Sequence, residues 1–263
     1  MFGQVKDILS KKQLLFTLSL SDFKKKFIGS YLGIVWVFVQ PIVSIFIYYL
    51  VFQVGFRSSP VENMPYVLWL IPGIIPWFFF NEALANGVSV LSAYQHLVKK
   101  MVFRIDLLPL VKVMSSLFVH FIFLFIMIIV FLLYGVSPSL WWLQCIYYLL
   151  CNIILVTGLI YLTSSINVFI KDVGQIVNVV LQLGFWITPI MWDLSIMPEA
   201  LHLLLRLNPF TYVVNGFRDS FIFHVGFWEN PKGFIYYWVV TGVILFCGIK
   251  LFKKMEPHFA DVL

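Results

Sequence analysis

The stretch VMSSLFVHFIFLFIMIIVFLLY, residues 113–134, carries no charged side chain from end to end. About 20 predominantly apolar residues are enough for an α-helix to cross a hydrocarbon core about 30 Å thick. The whole chain of 263 residues is 61% hydrophobic and only 11% charged, whereas soluble domains have about a quarter of their residues charged. The sequence therefore predicts an all-α polytopic membrane protein.

Further apolar stretches lie on both sides of this one, and together they predict six transmembrane helices. The predicted spans are residues 33–55, 66–94, 113–134, 143–170, 173–192 and 234–250. An even number of spans places both termini on one side, and cytoplasmic loops carry an excess of Lys and Arg. Of the 18 basic residues, 14 fall on the side of the termini. Both termini are therefore predicted to be cytoplasmic, and the net charge of +6 needs no nucleic-acid partner.

The chain contains no internal repeat, so we expect a single domain over residues 1–263. Residues 1–32 form the N-terminal segment, residues 33–250 the helical bundle and residues 251–263 a cytoplasmic tail. The N-terminal segment mixes lysines with large apolar side chains in "LSLSDFKKKFIGSYLGIVW". This mixture is typical of an amphipathic helix that lies in the membrane interface, with its lysines toward anionic headgroups.

Residues 193–233 are too polar for a span and too apolar for an ordinary external loop. The segments "ALHLLLRL" and "YVVNGFRDSFIF" are each too short to cross the membrane. We expect two short re-entrant helices with a break at Asn208 and Pro209. Proline lacks a backbone donor, and the residue that precedes it avoids helical geometry.

The cytoplasmic stretch "LVKKMVFRIDLLP", residues 97–109, concentrates charge between two spans. On a helix, Leu97, Met101 and Ile105 fall on one face and Lys99 on the opposite face. We expect this helix to end at Pro109. It is either a basic loop that sets topology or a contact helix for a cytoplasmic partner.

Motifs for catalysis are missing from the sequence. It has no phosphate-binding G-x-x-x-x-G-K-[ST] loop, no G-x-S-x-G elbow and no H-E-x-x-H zinc motif. No catalytic residue or metal site is predicted. Glu82 is the one acid placed inside a span, which makes it a functional candidate, although it can also lie near the span end among polar neighbours. His120 is expected to be an interfacial histidine near the start of span three.

Two polar stripes follow helical spacing inside the predicted spans. Span five carries Gln175, Asn178 and Gln182, and span one carries Trp36, Gln40, Ser44 and Tyr48. Polar side chains in membrane helices either bond a neighbouring helix or face water. The stripes are therefore either contacts between helices or the wall of a conduit, whose amides and aromatic faces suit a hydroxyl-rich substrate.

Six segments in this order carry a family resemblance: "GIVWVFVQPI" (33–42), "IPGIIPWFFFNEAL" (71–84), "LVKKMVFRIDLLPL" (97–110), "NVFIKDVGQIV" (167–177), "FWITPIMWD" (185–193) and "LNPFTYVVNGFRD" (207–219). With them the chain resembles the membrane subunits of type-2 ATP-binding-cassette exporters, in the branch that moves O antigens, capsule polymers and teichoic acids. The resemblance runs over nearly the whole chain. The chain differs from the common family pattern at "VFRIDLLP", which lacks the first proline of an F-P-R motif.

The resemblance implies a homodimer in the bacterial inner membrane, with a conduit between the protomers for a lipid-linked glycan. It also implies two separate cytoplasmic ATPase subunits, which would bind ATP and Mg²⁺, and a coupling helix between spans two and three. The coupling residues are then Leu97, Lys99, Lys100, Met101, Phe103, Arg104 and Asp106. The rival functions are an ion-coupled flippase, disfavoured by the few intramembrane charges, and a membrane-embedded glycosyltransferase, disfavoured by the lack of clustered acids.

Overall fold

A computed structural model describes residues 12–26, 28, 31–55, 64–99 and 104–263, without the side chains of Gln40, Ser195, Leu203, Leu204 and Arg206. The fold is all-α, as predicted. The main helices are α1 (Lys12–Lys25), α2 (Val35–Tyr48), α3 (Tyr66–Gly87), α4 (Leu108–Leu133), α5 (Cys145–Phe169), α6 (Val173–Ile187), α7 (Glu199–Arg206), α8 (Pro209–Arg218) and α9 (Pro231–Met255). Helix α2 continues as a π-helix over Tyr49–Gly55, and α8 continues as one over Asp219–Phe223.

Helix α3 forms the centre of the bundle. It packs against α4, α5, α6 and α8. Of its most apolar stretch of 18 residues, 83% is buried inside the protein. The corresponding values for α2 and α9 are 12% and 17%. Most of the surface of α2 is therefore left for lipid or for another chain.

Helices α5 and α9 approach each other closely at two glycines. A Cβ atom on Gly248 would lie 2.4 Å from the carbonyl oxygen of Gly158. A Cβ atom on Gly158 would in turn lie 2.9 Å from the backbone of Leu245. Small residues allow membrane helices to pack backbone against backbone, which fixes α9 against the bundle.

Among the described residues, five helical stretches are long and apolar enough to cross a membrane: Val35–Gly55, Tyr66–Gly87, Ile105–Leu133, Leu140–Phe169 and Pro231–Val262. The predicted fifth span contains only the 15 residues of α6, which extend about 22 Å at about 1.5 Å per residue. The helix stops at Thr188, whose backbone is extended ahead of Pro189. The helix is therefore shorter than the predicted span 173–192. The count of six spans stays a prediction.

Two other predicted boundaries are wrong. Span two was expected to reach residue 94, but α3 ends at Gly87 and a separate short helix covers Val90–Ala93. Pro109 was expected to end the cytoplasmic helix, but it lies in the first turn of α4. Proline is favoured there because the first backbone N–H groups of a helix have no partner within it.

Helix α1 covers Lys12–Lys25, so it overlaps only the first part of the stretch 18–36 on which the interfacial helix was predicted. It packs along α4, and its buried residues are Ser19, Asp22 and Phe23. Part of its inner face is therefore polar and contacts protein. Its place in the membrane interface stays a prediction.

Candidate conduit and coupling surfaces

The amide stripe of α6 points away from the protomer. Gln175, Asn178 and Gln182 are all exposed, whereas the buried residues of α6 are Val177 and Leu181. At about 100° per residue, the mean directions of the two sets differ by about 110°, so the amides lie on a separate, exposed part of the helix surface. Contacts between helices of one protomer therefore do not explain this stripe, which leaves a second chain, lipid or a conduit.

The stripe of α2 divides between two environments. Trp36 and Ser44 line a cavity between α2, α3 and α4. The ring of Tyr48 lies 6.3 Å from that of Phe185 in α6. Only the Tyr48 end of the stripe thus approaches the amide-bearing helix, and the side chain of Gln40 lies outside the described part of the structure.

Glu82 lies in the same cavity, where it forms an ion pair with Lys26. The distance from Lys26 Nζ to Glu82 Oε1 is 2.5 Å, and the two side chains are 23% and 25% exposed. Glu82 thus has a basic partner and lies near the end of α3. Of the two interpretations of this acid, the structure favours the one with a polar neighbour.

His120 was predicted to be interfacial, and this prediction is wrong. The residue is buried in the middle of α4. Its ring centroid lies 5.2 Å from that of Phe79 and 6.2 Å from that of Phe217. Neither ring nitrogen has a hydrogen-bond partner within the described residues. The prediction failed because the helix begins at Leu108, about one turn before the predicted span.

The prediction of one continuous helix over residues 97–109 is wrong. A short helix covers Gln95–Val98, Arg104 has an extended backbone, and a 3-10 turn covers Ile105–Leu107. Leu97 is half-buried and Lys99 exposed, whereas Lys100, Met101 and Phe103 lie outside the described residues.

Arg104 and Asp106 bind each other through two contacts. Arg104 Nε donates to Asp106 Oδ1 at 3.1 Å, and Nη2 donates to Oδ2 at 2.5 Å. Such paired guanidinium–carboxylate contacts fix orientation as well as distance. The hydroxyl of Tyr161 also donates to the backbone oxygen of Asp106 at 2.6 Å, so the turn is attached to α5.

A hydrophobic cluster around Tyr94 and Phe252 connects this region with three long helices. It includes residues from the two short helices after α3, from the start of α4, from the C-terminal halves of α5 and α9, and from the C-terminal turn. Its buried members are Val90, Leu91, Tyr94, Val98, Leu108, Tyr161, Val168, Phe252 and Phe259. The short helix Gln95–Val98 therefore packs in one cluster with the ends of three long helices.

Asp22 attaches α1 to this region. Its Oδ1 accepts from Lys112 Nζ at 2.6 Å and from the Tyr94 hydroxyl at 2.7 Å. Burial raises the pKa of the Asp22 carboxyl, but the bonds from Lys112 and Tyr94 outweigh it, so the pKa lies below its ordinary value. A carboxyl group with a lowered pKa stabilises the fold at any pH above its ordinary pKa. This stabilisation is lost only as the pH falls through the lowered pKa. The ion pair is thus intact at neutral pH.

Helix α7 ends at Arg206, and α8 begins at Pro209, directly after Asn208. Asn208 caps α8, because its side chain accepts from the backbone N–H of Phe210 at 3.0 Å. Its amide donates to the Thr188 hydroxyl at 2.8 Å. The break between the short helices is therefore joined to the end of α6. Entry of these helices into the membrane stays a prediction.

Arg218 is the residue that sequence reasoning missed. The side chain is almost fully buried at 3% exposure. Its Nη1 and Nη2 donate to the carbonyls of Pro189 and Ile190, both at 2.7 Å, and its Nε donates to Trp69 O at 3.3 Å. Its guanidinium also stacks on the Trp69 ring, 3.4 Å from the centroid. Arg218 thus joins α8 to α3 and to the segment after α6.

Gly73 makes this arrangement sterically possible. A Cβ atom on Gly73 would lie 2.7 Å from Arg218 Nη2. The available signal was a basic residue in an amphipathic segment assigned to the outer side, where basic residues are scarce. The sequence analysis counted Arg218 only as a loop charge.

Comparisons with known proteins cover almost the entire chain. The family model described as "ABC-2 type transporter" matches residues 13–222. The chain is 30% identical to the O-antigen export system permease protein RfbA of Klebsiella pneumoniae, over 95% of each protein. It is 26% identical to the RfbA protein of Myxococcus xanthus over 99% of each, and 23% identical to the polysialic acid transport protein KpsM of Escherichia coli, over 91% of this chain and 92% of KpsM.

Proposed function

Because the chain belongs to the ABC-2 type transporter family, we propose that it is the membrane subunit of an ATP-binding-cassette exporter for a polysaccharide. Its relatives RfbA and KpsM are named for the export of O antigen and the transport of polysialic acid. Both are matched over more than nine-tenths of their length. The chemistry common to those cargoes is a hydroxyl-rich polymer.

The outward amide stripe of α6 is the observation that carries the proposal. A glycan that leaves water needs replacement hydrogen bonds, and its rings stack on aromatic faces. A conduit must also bind weakly at many places so that its cargo keeps moving. Gln175, Asn178 and Gln182 offer such bonds without charge, and Trp186 is 60% exposed on the same helix. We assign this face of α6 to the conduit, and extend it to α2 near Tyr48.

We further propose that the exporter is a homodimer. Helices α2 and α6 leave large apolar side chains exposed beside the polar stripes, among them Phe46, Val179 and Leu183. A second copy that meets the first along these helices would enclose the stripes between the protomers. The rest of the apolar surface would face lipid.

Family membership implies an ABC ATPase partner, and we propose that two such subunits bind the ATP and Mg²⁺ of the cycle. The sequence contains no G-x-x-x-x-G-K-[ST] loop. The clustered basic residues of the 97–107 segment support a cytoplasmic position for this segment and for both termini. The membrane is then the bacterial inner membrane, and the cargo is a glycan linked to a lipid carrier.

Charge reversal at Lys100 and Arg104 should uncouple the ATPase. Arg104→Glu places an acid beside Asp106 instead of its basic partner, and Lys100→Glu turns a second basic residue of the segment acidic. We expect export to fall about tenfold, corresponding to about 1.4 kcal/mol, with less co-purified ATPase or with hydrolysis that no longer drives transport. Lys171→Glu, an exposed lysine after α5, is the control. Normal assembly and export in the double variant would show that the segment only sets topology.

Reconstitution tests the function as a whole. The purified chain and its ATPase would be placed in liposomes that contain a defined lipid-linked glycan. We expect ATP to change the access of an added glycosidase to the glycan. The glycan becomes accessible or is protected, according to the orientation of the exporter in the liposome membrane. An ion gradient that moves the glycan without ATP would instead support the flippase, and glycan extension would support the glycosyltransferase.

A further inference from the structure

The cavity that contains Lys26 and Glu82 is separate from the amide face of α6. It has a volume of about 590 Å³, is open on one side and is lined by Lys26 and by residues of α2, α3 and α4. This volume lies within the range of small-molecule sites, about 300–1,000 Å³. The cavity combines a polar part, with Asn81 and Asn86 beside the ion pair, and an apolar part.

The polar part contains one positive and one negative group side by side. Lys26 and Glu82 retain 23% and 25% of their side-chain exposure, so each has a face open to a further partner. The Asn86 amide donates one hydrogen to the backbone oxygen of Glu82 at 2.8 Å. An asparagine amide has two hydrogens, so a second hydrogen remains for a ligand oxygen.

The apolar part lies next to this pair. It is formed by Val37, Pro41, Phe78, Val119 and Phe123, and the rings of Phe78 and Phe123 meet edge to face at 5.5 Å. Such a surface accepts a hydrocarbon chain, because apolar area is then removed from polar surroundings. A ligand that fits both parts has a small charged head and an apolar tail.

We propose that this cavity binds a zwitterionic phospholipid of the phosphatidylethanolamine class. The lipid phosphate would meet the Lys26 ammonium, and its own ammonium would meet the Glu82 carboxylate. The start of an acyl chain would lie against Phe78 and Phe123. The four charges then alternate, and each charge gains a second opposite neighbour.

Charge complementarity separates this class from other lipids. An anionic headgroup, such as phosphatidylglycerol, would gain from Lys26 but meet repulsion from Glu82, because the pair has no net charge. A neutral sugar would not depend on either charge, since uncharged amides offer it comparable hydrogen bonds. The inference rests on the chain's place in a membrane and not on its polysaccharide cargo.

The test measures which lipid stays bound to the purified full-length chain. The protein would be reconstituted in vesicles with equal amounts of phosphatidylethanolamine and phosphatidylglycerol with the same acyl chains. It would then be extracted in detergent, and the retained lipid would be identified by native mass spectrometry. We expect phosphatidylethanolamine to be enriched about tenfold, since charge-assisted hydrogen bonds decide the preference. Lys26→Gln with Glu82→Gln should abolish the enrichment.

Two further variants keep the result interpretable. Lys24→Gln removes an exposed lysine two residues away and should leave the enrichment unchanged. Ala85→Phe fills the cavity without altering a charge and should reduce the retained lipid of either kind. The proposal is overturned by equal retention of both lipids, by enrichment that survives the double glutamine variant, by an equal loss in Lys24→Gln or by unchanged retention in Ala85→Phe. The assay needs neither nucleotide nor glycan, so its failure is distinct from a failure of export.

Discussion

Replacement of Gln175 and Gln182 by leucine should reduce export at least about tenfold while the dimer and its ATPase remain assembled. Both amides are exposed, whereas the buried residues of α6 are Val177 and Leu181. Leucine therefore removes hydrogen bonds to the cargo without disturbing the packing of the protomer. The measurements are surface glycan in cells and dimer recovery in detergent.

A matched control is available on the same helix. Ile176→Leu with Val180→Leu changes two exposed apolar residues, 57% and 59% exposed, and should leave both export and assembly intact. If the amides instead bond the second protomer, leucine should weaken the dimer by about 0.6–2 kcal/mol per lost bond. A lost dimer with a proportionate loss of export would contradict the conduit assignment, as would normal export from an intact dimer.

Arg218→Met should destabilise the permease more than any other single change considered above. Methionine keeps much of the length of the side chain but leaves the carbonyls of Trp69, Pro189 and Ile190 without their donor. A buried polar group without a partner costs about 1–3 kcal/mol. Trp69 lies within α3, where its carbonyl accepts from the helix backbone, so the loss comes from the carbonyls of Pro189 and Ile190 and amounts to about 2–6 kcal/mol. We expect a marked fall in the temperature at which the purified protein aggregates. This temperature is measured by size-exclusion chromatography of heated samples.

Three variants define this prediction further. Arg218→Lys should rescue only part of the loss, because a single ammonium does not reproduce the planar fork of the guanidinium. Gly73→Ala should mimic the loss, since its Cβ would lie 2.7 Å from Arg218 Nη2. Lys232→Met removes an exposed charge assigned to the same side and should have no effect. An unchanged aggregation temperature in Arg218→Met would mean that the carbonyls find other donors.

The positions of most long helices could be predicted from the sequence, because a helix that spans the membrane needs a long apolar stretch. Hydropathy measures polarity and does not detect a break in the backbone. The predicted span two therefore continues past the end of α3 at Gly87, and the predicted span five continues past the end of α6 before Thr188. Pro109 was assigned to the wrong helix for a related reason. Proline is common both just after a helix and in its first turn, and periodicity alone does not distinguish these places.

The candidate site was predictable where it depends on a repeat within one helix. The spacing of Gln175, Asn178 and Gln182 defined a face, and the structure places all three on the exposed side. Contacts between distant segments were not predictable in this way. Lys26 and Glu82 are 56 positions apart, and Arg218 is 149 positions from Trp69, so their partners depend on how the helices pack.

The last residues of the chain belong to the hydrophobic cluster around Tyr94 and Phe252. Phe259 is completely buried, within 5.3–6.2 Å of the rings of Phe252 and Phe169, and Leu263 packs against the same cluster as the 95–98 helix. An affinity tag or fluorescent fusion joined directly to Leu263 would therefore begin inside a packed interface rather than in open solvent. Assays on such fusions need a flexible linker, or the tag moved elsewhere, before a loss of coupling is ascribed to a point mutation.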